Sequence, residues 1–314
     1  MNSSGGSDVR EVAIICGPTA AGKSAIAMAL AEETGAVLIS ADSRQVYRGF
    51  DIGTAKPSLA DRAVVSHCGI DIIDPTERYS AAAWSASALL WLDACAAAGR
   101  PVIIVGGTGF YLHALEAPLF ESPPLDEVRR AALLAELDTV PTEELRRRCS
   151  RVDPARAHLG RTQLLRALET EALTGRPLSV WLAERARPAA VRAHYLLVDP
   201  GPVLRERIAA RVETMIAAGW EAEVAALATS VPAAAPAWNA CGYGALRATL
   251  AGDLRRDAAL ERTVIDTRQY AKRQRTWFRH QLPADRVTPL DPSSPGATAR
   301  AVQWLESASL TEHT

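Results

Sequence analysis

Residues Gly17-Pro18-Thr19-Ala20-Ala21-Gly22-Lys23-Ser24 decide how this chain is read. They fit the phosphate-binding loop pattern: two glycines frame four variable residues, then a lysine and a hydroxyl follow. The run in front, residues 11–16, is short, apolar and rich in Val and Ile, and reads as a buried strand. The run behind, 24–33, is rich in alanine with apolar residues at helical spacing, and Gly35 closes it. Glycines let backbone N–H groups turn inward around an anion, and the helix N-terminus adds its positive dipole end. Lys23 sets an ammonium between adjacent phosphates, and the Ser24 hydroxyl is a Mg²⁺ ligand candidate. The loop predicts a bound di- or triphosphate without saying which.

Outward from the loop, 36–40, 69–73 and 101–105 read as further strands, and 80–98 as a long helix closed by Gly99. Strands alternating with helices imply an α/β fold, a P-loop NTPase-like parallel sheet flanked by helices. Residues 124–190 carry helical patterns, arginine clusters (Arg129, Arg130, Arg146 to Arg148) and no strand-like run, so an inserted all-helical domain is predicted. A strand returns at 195–199, helices at 203–228 and 256–281 follow, and 229–237 is a loop. The expected organisation is a frayed tail at 1–10, a core of 11–120 and 191–290, a helical insertion at 121–190, and a C-terminal tail at 291–314. That tail holds one short amphipathic helix of little consequence.

Composition narrows the classes. With 48% hydrophobic and 23% charged residues over 314, the chain is globular and not disordered. A formal net charge of −1 means that any nucleic-acid surface is a local patch. Of 35 Lys plus Arg, only Lys23, Lys56 and Lys272 are lysines, which either marks places suited to a compact ammonium or reflects drift. The five cysteines (16, 68, 95, 149 and 241) are scattered without Cys-x-x-Cys spacing, against a disulfide framework or zinc site. Cys16 reads as a small buried hydrophobe. No apolar run reaches the ~18–20 residues that span a bilayer. The small polar start reads as neither signal nor transit peptide. A soluble cytoplasmic protein is the expectation.

Three segments carry further chemistry. Asp42, in Ala41-Asp42-Ser43-Arg44-Gln45-Val46-Tyr47, follows the second strand and should face the phosphate loop across the crevice at the strands' carboxyl ends. A carboxylate there serves as general base or magnesium partner, or merely as a helix N-cap. Gly106-Gly107-Thr108-Gly109-Phe110-Tyr111 follows the fourth strand, and its glycines permit close backbone approach to a ligand. Residues 267–280 pack five cations with Tyr270, Trp277 and Phe278. The cations at helical spacing suit a phosphate backbone, and Trp277 and Phe278 are read as core residues.

Together these blocks resemble the tRNA dimethylallyltransferase family. In order they are Gly17 to Ser24, Asp42 to Tyr47, Gly106 to Tyr111, and Thr267-Arg268-Gln269-Tyr270-Ala271-Lys272-Arg273-Gln274-Arg275-Thr276-Trp277-Phe278. Gly53-Thr54-Ala55-Lys56-Pro57, Arg166-Ala167-Leu168-Glu169 and Gly242-Tyr243 fit as well. The resemblance implies transfer of a dimethylallyl group from dimethylallyl diphosphate to a tRNA. The acceptor is the N6 amine of the adenosine 3′-adjacent to the anticodon (position 37), in tRNAs reading codons that begin with U. Gly17, Pro18, Thr19, Ala20, Ala21, Gly22, Lys23 and Ser24 would hold the diphosphate with Mg²⁺, and Arg207 and Arg211 would reach it from the fifth strand's side. Asp42 would take the amine proton, with Thr19 and Thr108 lining the pocket.

The family's tRNA contacts map onto Asp42, Ser43, Arg44, Gln45, Thr108, Thr162, Gln163, Arg166, Gly242, Tyr243, Lys272, Arg273, Arg275 and Arg279, with Arg130 a further candidate. The helical insertion would grip the anticodon stem-loop, no membrane is involved, and a monomer is expected. Two blocks depart from the family pattern. Leu159-Gly160-Arg161-Thr162-Gln163-Leu164 replaces an Asn-Asp-x-Gln-Arg run, and Gly244-Ala245 replaces Lys-Glu. Both lie in RNA-contact blocks, not in the diphosphate site. The competing readings are a small-molecule kinase using ATP, with residues 70–74 as its magnesium-binding strand, an adenine-nucleotide prenyltransferase, and a non-enzymatic RNA-binding NTPase switch.

Overall fold

The computed structural model describes residues 9–117, 126–184 and 191–309. The chain divides into two compact units, Met1–Glu116 with Ala189–Thr314, and Ala117–Pro188. Of the segment expected to fray, residues 1–8 lie outside the described residues, and Arg10 already belongs to the first strand.

In chain order the elements are β1 (Arg10–Cys16), α1 (Lys23–Thr34), β2 (Val37–Ser40), α2 (Leu59–Val64), β3 (His67–Cys68), α3 (Ala81–Ala97), β4 (Val102–Gly106) and α4 (Gly109–Glu116). The second unit holds α5 (Glu127–Asp138), α6 (Thr142–Val152), α7 (Arg161–Thr174) and α8 (Leu178–Glu184). The first unit resumes with β5 (Val191–Val198), α9 (Leu204–Ala217), α10 (Trp220–Ala228), α11 (Tyr243–Leu250), α12 (Arg256–Gln281), β6 (Val287–Leu290) and α13 (Ala297–Ser309).

The six strands form one sheet in the order β3-β2-β4-β1-β5-β6, and every pair is parallel. β1 is central and buried at Ile14, Ile15 and Cys16, as a strand covered on both faces must be. Ile15, Ile26, Leu30, Leu38, Ile103 and Leu196 pack one core from sheet and α1. Burial of such side chains stabilises by about 1.5–3 kcal/mol each. At β5, Glu116 accepts from the Ala193 N–H at 3.0 Å, from the Tyr195 hydroxyl and from Arg286, pinning the end of α4 to that strand. In the second unit, Leu145, Cys149, Leu164 and Leu168 form a separate core among α6, α7 and their neighbours.

Three expectations are corrected. The third strand lies at His67–Cys68, not 69–73, because Gly69 (φ 80°) and Asp71 (φ 57°) take left-handed backbone that ends extension. A sixth strand exists at 287–290. Pro289 hides it in the sequence, and an edge position tolerates the missing donor. The C-terminal segment is not incidental: α13 buries Ala301 and Trp304 in the same core as Ile15 and Leu290.

Candidate active site

The phosphate loop leaves the centre of the sheet. Gly17 takes φ 145°, and a Cβ there would sit 2.1 Å from the Val198 carbonyl oxygen, so only glycine fits. Ala20 (φ 62°) and Gly22 (φ 97°) then turn the backbone through left-handed space into α1. Lys23 opens that helix and its ammonium donates to the Pro18 carbonyl at 2.8 Å. Burial pushes the Lys23 ammonium down to about 8; the positive Arg211 adds to this, and Asp42 and Cys16 oppose it. Ser24 is exposed at the helix start. Arg207, from α9, donates to the Ala21 carbonyl at 3.2 Å and to the Ser293 hydroxyl at 3.0 Å, bracing the loop from outside.

A residue that the sequence reading did not single out ties the crevice together. Gln274, buried on α12, accepts from the Thr19 N–H at 2.8 Å and donates to the Gly107 carbonyl at 2.8 Å. The loops after β1 and β4 are thus fixed to one amide. Thr108 joins the loop after β2, its hydroxyl accepting from the Ser43 N–H at 3.0 Å and its own N–H donating to the Ala41 carbonyl at 3.1 Å. Asp42 accepts from the Arg44 N–H at 2.8 Å in an Asx turn. The next helix begins only at Leu59, so Asp42 is not a helix cap.

These loops open on a cavity of about 230 Å³. Thr19, Asp42, Arg44, Arg211 and Arg273, all singled out from sequence, line it together. Ile208, Val212, Met215 and Trp220 give it an apolar wall, and Asn239, Cys241 and Tyr270 complete it. Burial pushes the Arg211 guanidinium down, and the charge of Asp42 opposes that shift. Burial likewise pushes the Tyr270 phenol up, while its hydroxyl meets that of Thr108. Arg273 lies 5.8 Å from the Tyr270 ring centroid.

Other expected contact residues are engaged within the fold. Gln45 accepts from Ser40 at 2.8 Å and donates to the carbonyls of Thr54 (3.3 Å) and Ala55 (3.0 Å), which anchors the 51–57 loop. Gly242 and Tyr243 form a packing joint. A Cβ on Gly242 would stand 2.2 Å from the Trp220 ring, and the buried Tyr243 hydroxyl bonds Glu223 (2.6 Å) and the Gly53 N–H (3.1 Å). Arg275 is not a free cation of the basic helix: it pairs with Asp199 at 2.5 Å and donates to the Gly201 carbonyl at 2.5 Å. Lys272, Arg273 and Arg279 are exposed. In the second unit, Thr162 and Arg166 lie exposed on α7, Gln163 accepts from the Gly160 N–H at 3.1 Å as a cap, and Arg130 pairs with Glu169. Lys56 is a structural lysine, its ammonium meeting Asp51 at 2.6 Å and Asp71 at 2.5 Å with the side chain 1% exposed.

Residues 70–74 supply no magnesium-binding strand. Asp71 is held by Lys56 and Arg62, and Asp74 accepts from the Thr76 N–H and hydroxyl at 3.0 and 2.6 Å. Among the described residues no helix is long and apolar enough to cross a membrane.

The sequence and fold match known proteins along their length. The family model described as IPP transferase covers residues 45–281, and one described as isopentenyl transferase covers 10–66. The tRNA dimethylallyltransferase of Halorhodospira halophila is 43% identical over 286 residues, 88% of this chain and 92% of that protein. The protein of that name from a Bradyrhizobium species is 42% identical over 86% of this chain and 90% of its own. Among solved structures, the tRNA isopentenylpyrophosphate transferase of Bacillus halodurans matches with a TM-score of 0.68 and 31% identity, covering 97% of this chain and 100% of its own. A eukaryotic dimethylallyltransferase shares the fold at a TM-score of 0.81 and 24% identity, with coverage of 97% and 80%. On sequence and on structure alike, this chain belongs to the tRNA dimethylallyltransferase family.

Proposed function

We propose that the protein transfers the dimethylallyl group of dimethylallyl diphosphate to the N6 amine of an adenosine, position 37, beside the anticodon of a tRNA. The observation that carries this reading is the cavity itself. A carboxylate (Asp42) and a buried guanidinium (Arg211) face one space at the mouth of a phosphate loop, and Ile208, Val212, Met215 and Trp220 give that space an apolar wall. A triphosphate needs no such wall, whereas a five-carbon chain does.

In this reading the loop amides and the Lys23 ammonium receive the diphosphate, and Arg211 faces it from α9. Charge accumulates on the diphosphate as its C–O bond breaks, and fixed cations stabilise it there. The allylic carbon gains cationic character against Ile208, Val212 and Met215, which exclude water. The adenosine amine attacks it. A C–N bond forms, the C–O pair leaves with the diphosphate, and the amine proton passes to Asp42. Arg207 acts through the loop, since it already holds the Ala21 carbonyl.

The donor set suits Mg²⁺. Ser24 offers one exposed hydroxyl at the helix start, and among the described residues no cluster of three or more His, Cys, Asp or Glu forms a metal cage. Mg²⁺ takes few protein ligands and completes its shell with substrate phosphate and water. Ser24 would hold the ion, which neutralises the leaving group when bound. The target base must be flipped to reach the cavity. Lys272, Arg273 and Arg279 on α12, with the α5–α8 insertion, are the proposed grips on the RNA.

The test is transfer of labelled dimethylallyl diphosphate in the presence of Mg²⁺ and unmodified tRNA, with AMP and ATP as rival acceptors. Label on tRNA alone is the expected result. Label on AMP and none on tRNA contradicts the reading.

A further inference from the structure

Phe110 is 55% exposed, although the residues beside it in α4, Tyr111 and Leu112, are buried. It is the second residue of α4, just past the carboxyl end of β4, the same end of the sheet as the cavity. Its neighbour Gly109 lies against Trp277 so closely that a Cβ there would stand 2.2 Å from the indole. Trp277 in turn lines an open groove of about 410 Å³ with Lys272, Arg273, Thr276 and His280. Arg273 lines both this groove and the reaction cavity.

Two aromatics that both neighbour Gly109, Phe110 in the chain and Trp277 by contact, with cations along the groove that Trp277 lines, offer a shelf suited to an unpaired nucleic-acid strand. Cations track the phosphates, and aromatic rings stack on exposed bases whatever their identity. Flipping one base also uncovers the faces of its neighbours, which then lack stacking partners. We propose that Phe110 is a stacking residue for the unpaired nucleotide flanking the target adenosine, with Trp277 supporting the shelf from behind Gly109. This rests on the transferase reading for the identity of the RNA, and concerns a contact that the basic residues alone do not supply.

The test is the affinity of the full-length enzyme for a labelled anticodon stem-loop RNA, measured by anisotropy over a range of salt, beside steady-state kinetics. Phe110→Ala should weaken RNA binding about tenfold, and Phe110→Trp should restore it. Turnover at saturating RNA and KM for the prenyl donor should not change. Because no charge is removed, the slope of log affinity against log salt should match the wild type, whereas Lys272→Ala should lower that slope by about one. Unchanged RNA affinity in Phe110→Ala overturns the inference, as does full rescue by Phe110→Leu, which keeps bulk without a ring. A change in sedimentation with RNA affinity intact would assign the shelf to a protein contact and also overturn it. If the wild type binds the RNA through Phe110 yet prenylates nothing, the stacking assignment stands and the transferase reading falls.

Discussion

At the residue scale, Asp42 is the proposed base. Its turn is fixed by the Arg44 N–H, so Asp42→Asn should keep the loop and donor binding while turnover falls about 10²–10⁴-fold. Unchanged turnover in single-turnover kinetics would remove it as base. Gln274 is the second decisive residue. Gln274→Leu takes partners from both the Thr19 N–H and the Gly107 carbonyl, each costing about 1–3 kcal/mol if left unpaired. KM for the donor should rise with folding retained, and a wild-type KM would show the two loops hold themselves. Asp42 and Lys23 could be read from sequence because their chemistry follows from position: one after a strand, one at the start of a helix. Gln274 could not, since an amide within a basic helix looks the same whether it faces solvent or bridges two loops. The same limit applies to Arg275 and Arg273, which are two residues apart on α12. One closes on Asp199 and the other lines the cavity.

At the scale of elements, the 51–71 segment is held by charge. Burial pushes the Asp71 carboxyl up, but the hydrogen bonds and charges of Lys56 and Arg62 outweigh it and hold the group below its ordinary 3.8. A carboxyl depressed in the fold contributes stability above its unfolded value, and that contribution disappears as pH falls through the folded one. Asp71→Asn should therefore melt below the wild type at pH 6, with the gap closing below about pH 3.8. A gap independent of pH would assign the loss to packing. This network also accounts for the misplaced third strand. An apolar count over 69–73 sees Ile70, Ile72 and Ile73 but not the left-handed Gly69 and Asp71 that turn the segment toward Lys56. Buried strands such as β1 and β4 were readable because their runs are unbroken.

For the whole molecule, a sheet of β3-β2-β4-β1-β5-β6 brings the loops after β1, β2 and β4 to one end, and α12 crosses them with Gln274. The C-terminal helix α13 completes that body. Trp304→Ala should lower stability by about 3 kcal/mol in denaturant titration. A change under 0.5 kcal/mol would return the segment to the minor role its sequence suggests. With a net charge of only −1, RNA affinity must come from a concentrated patch, so tRNA binding should fall steeply with salt. A flat response would remove α12 as an RNA contact. The most direct measurement is a crystal of the enzyme grown with both ATP and a non-reactive dimethylallyl diphosphate analogue. Diphosphate density is expected against residues 17–24, with the five-carbon chain between Asp42 and Met215. ATP in that loop, with the prenyl analogue absent, would contradict that expectation.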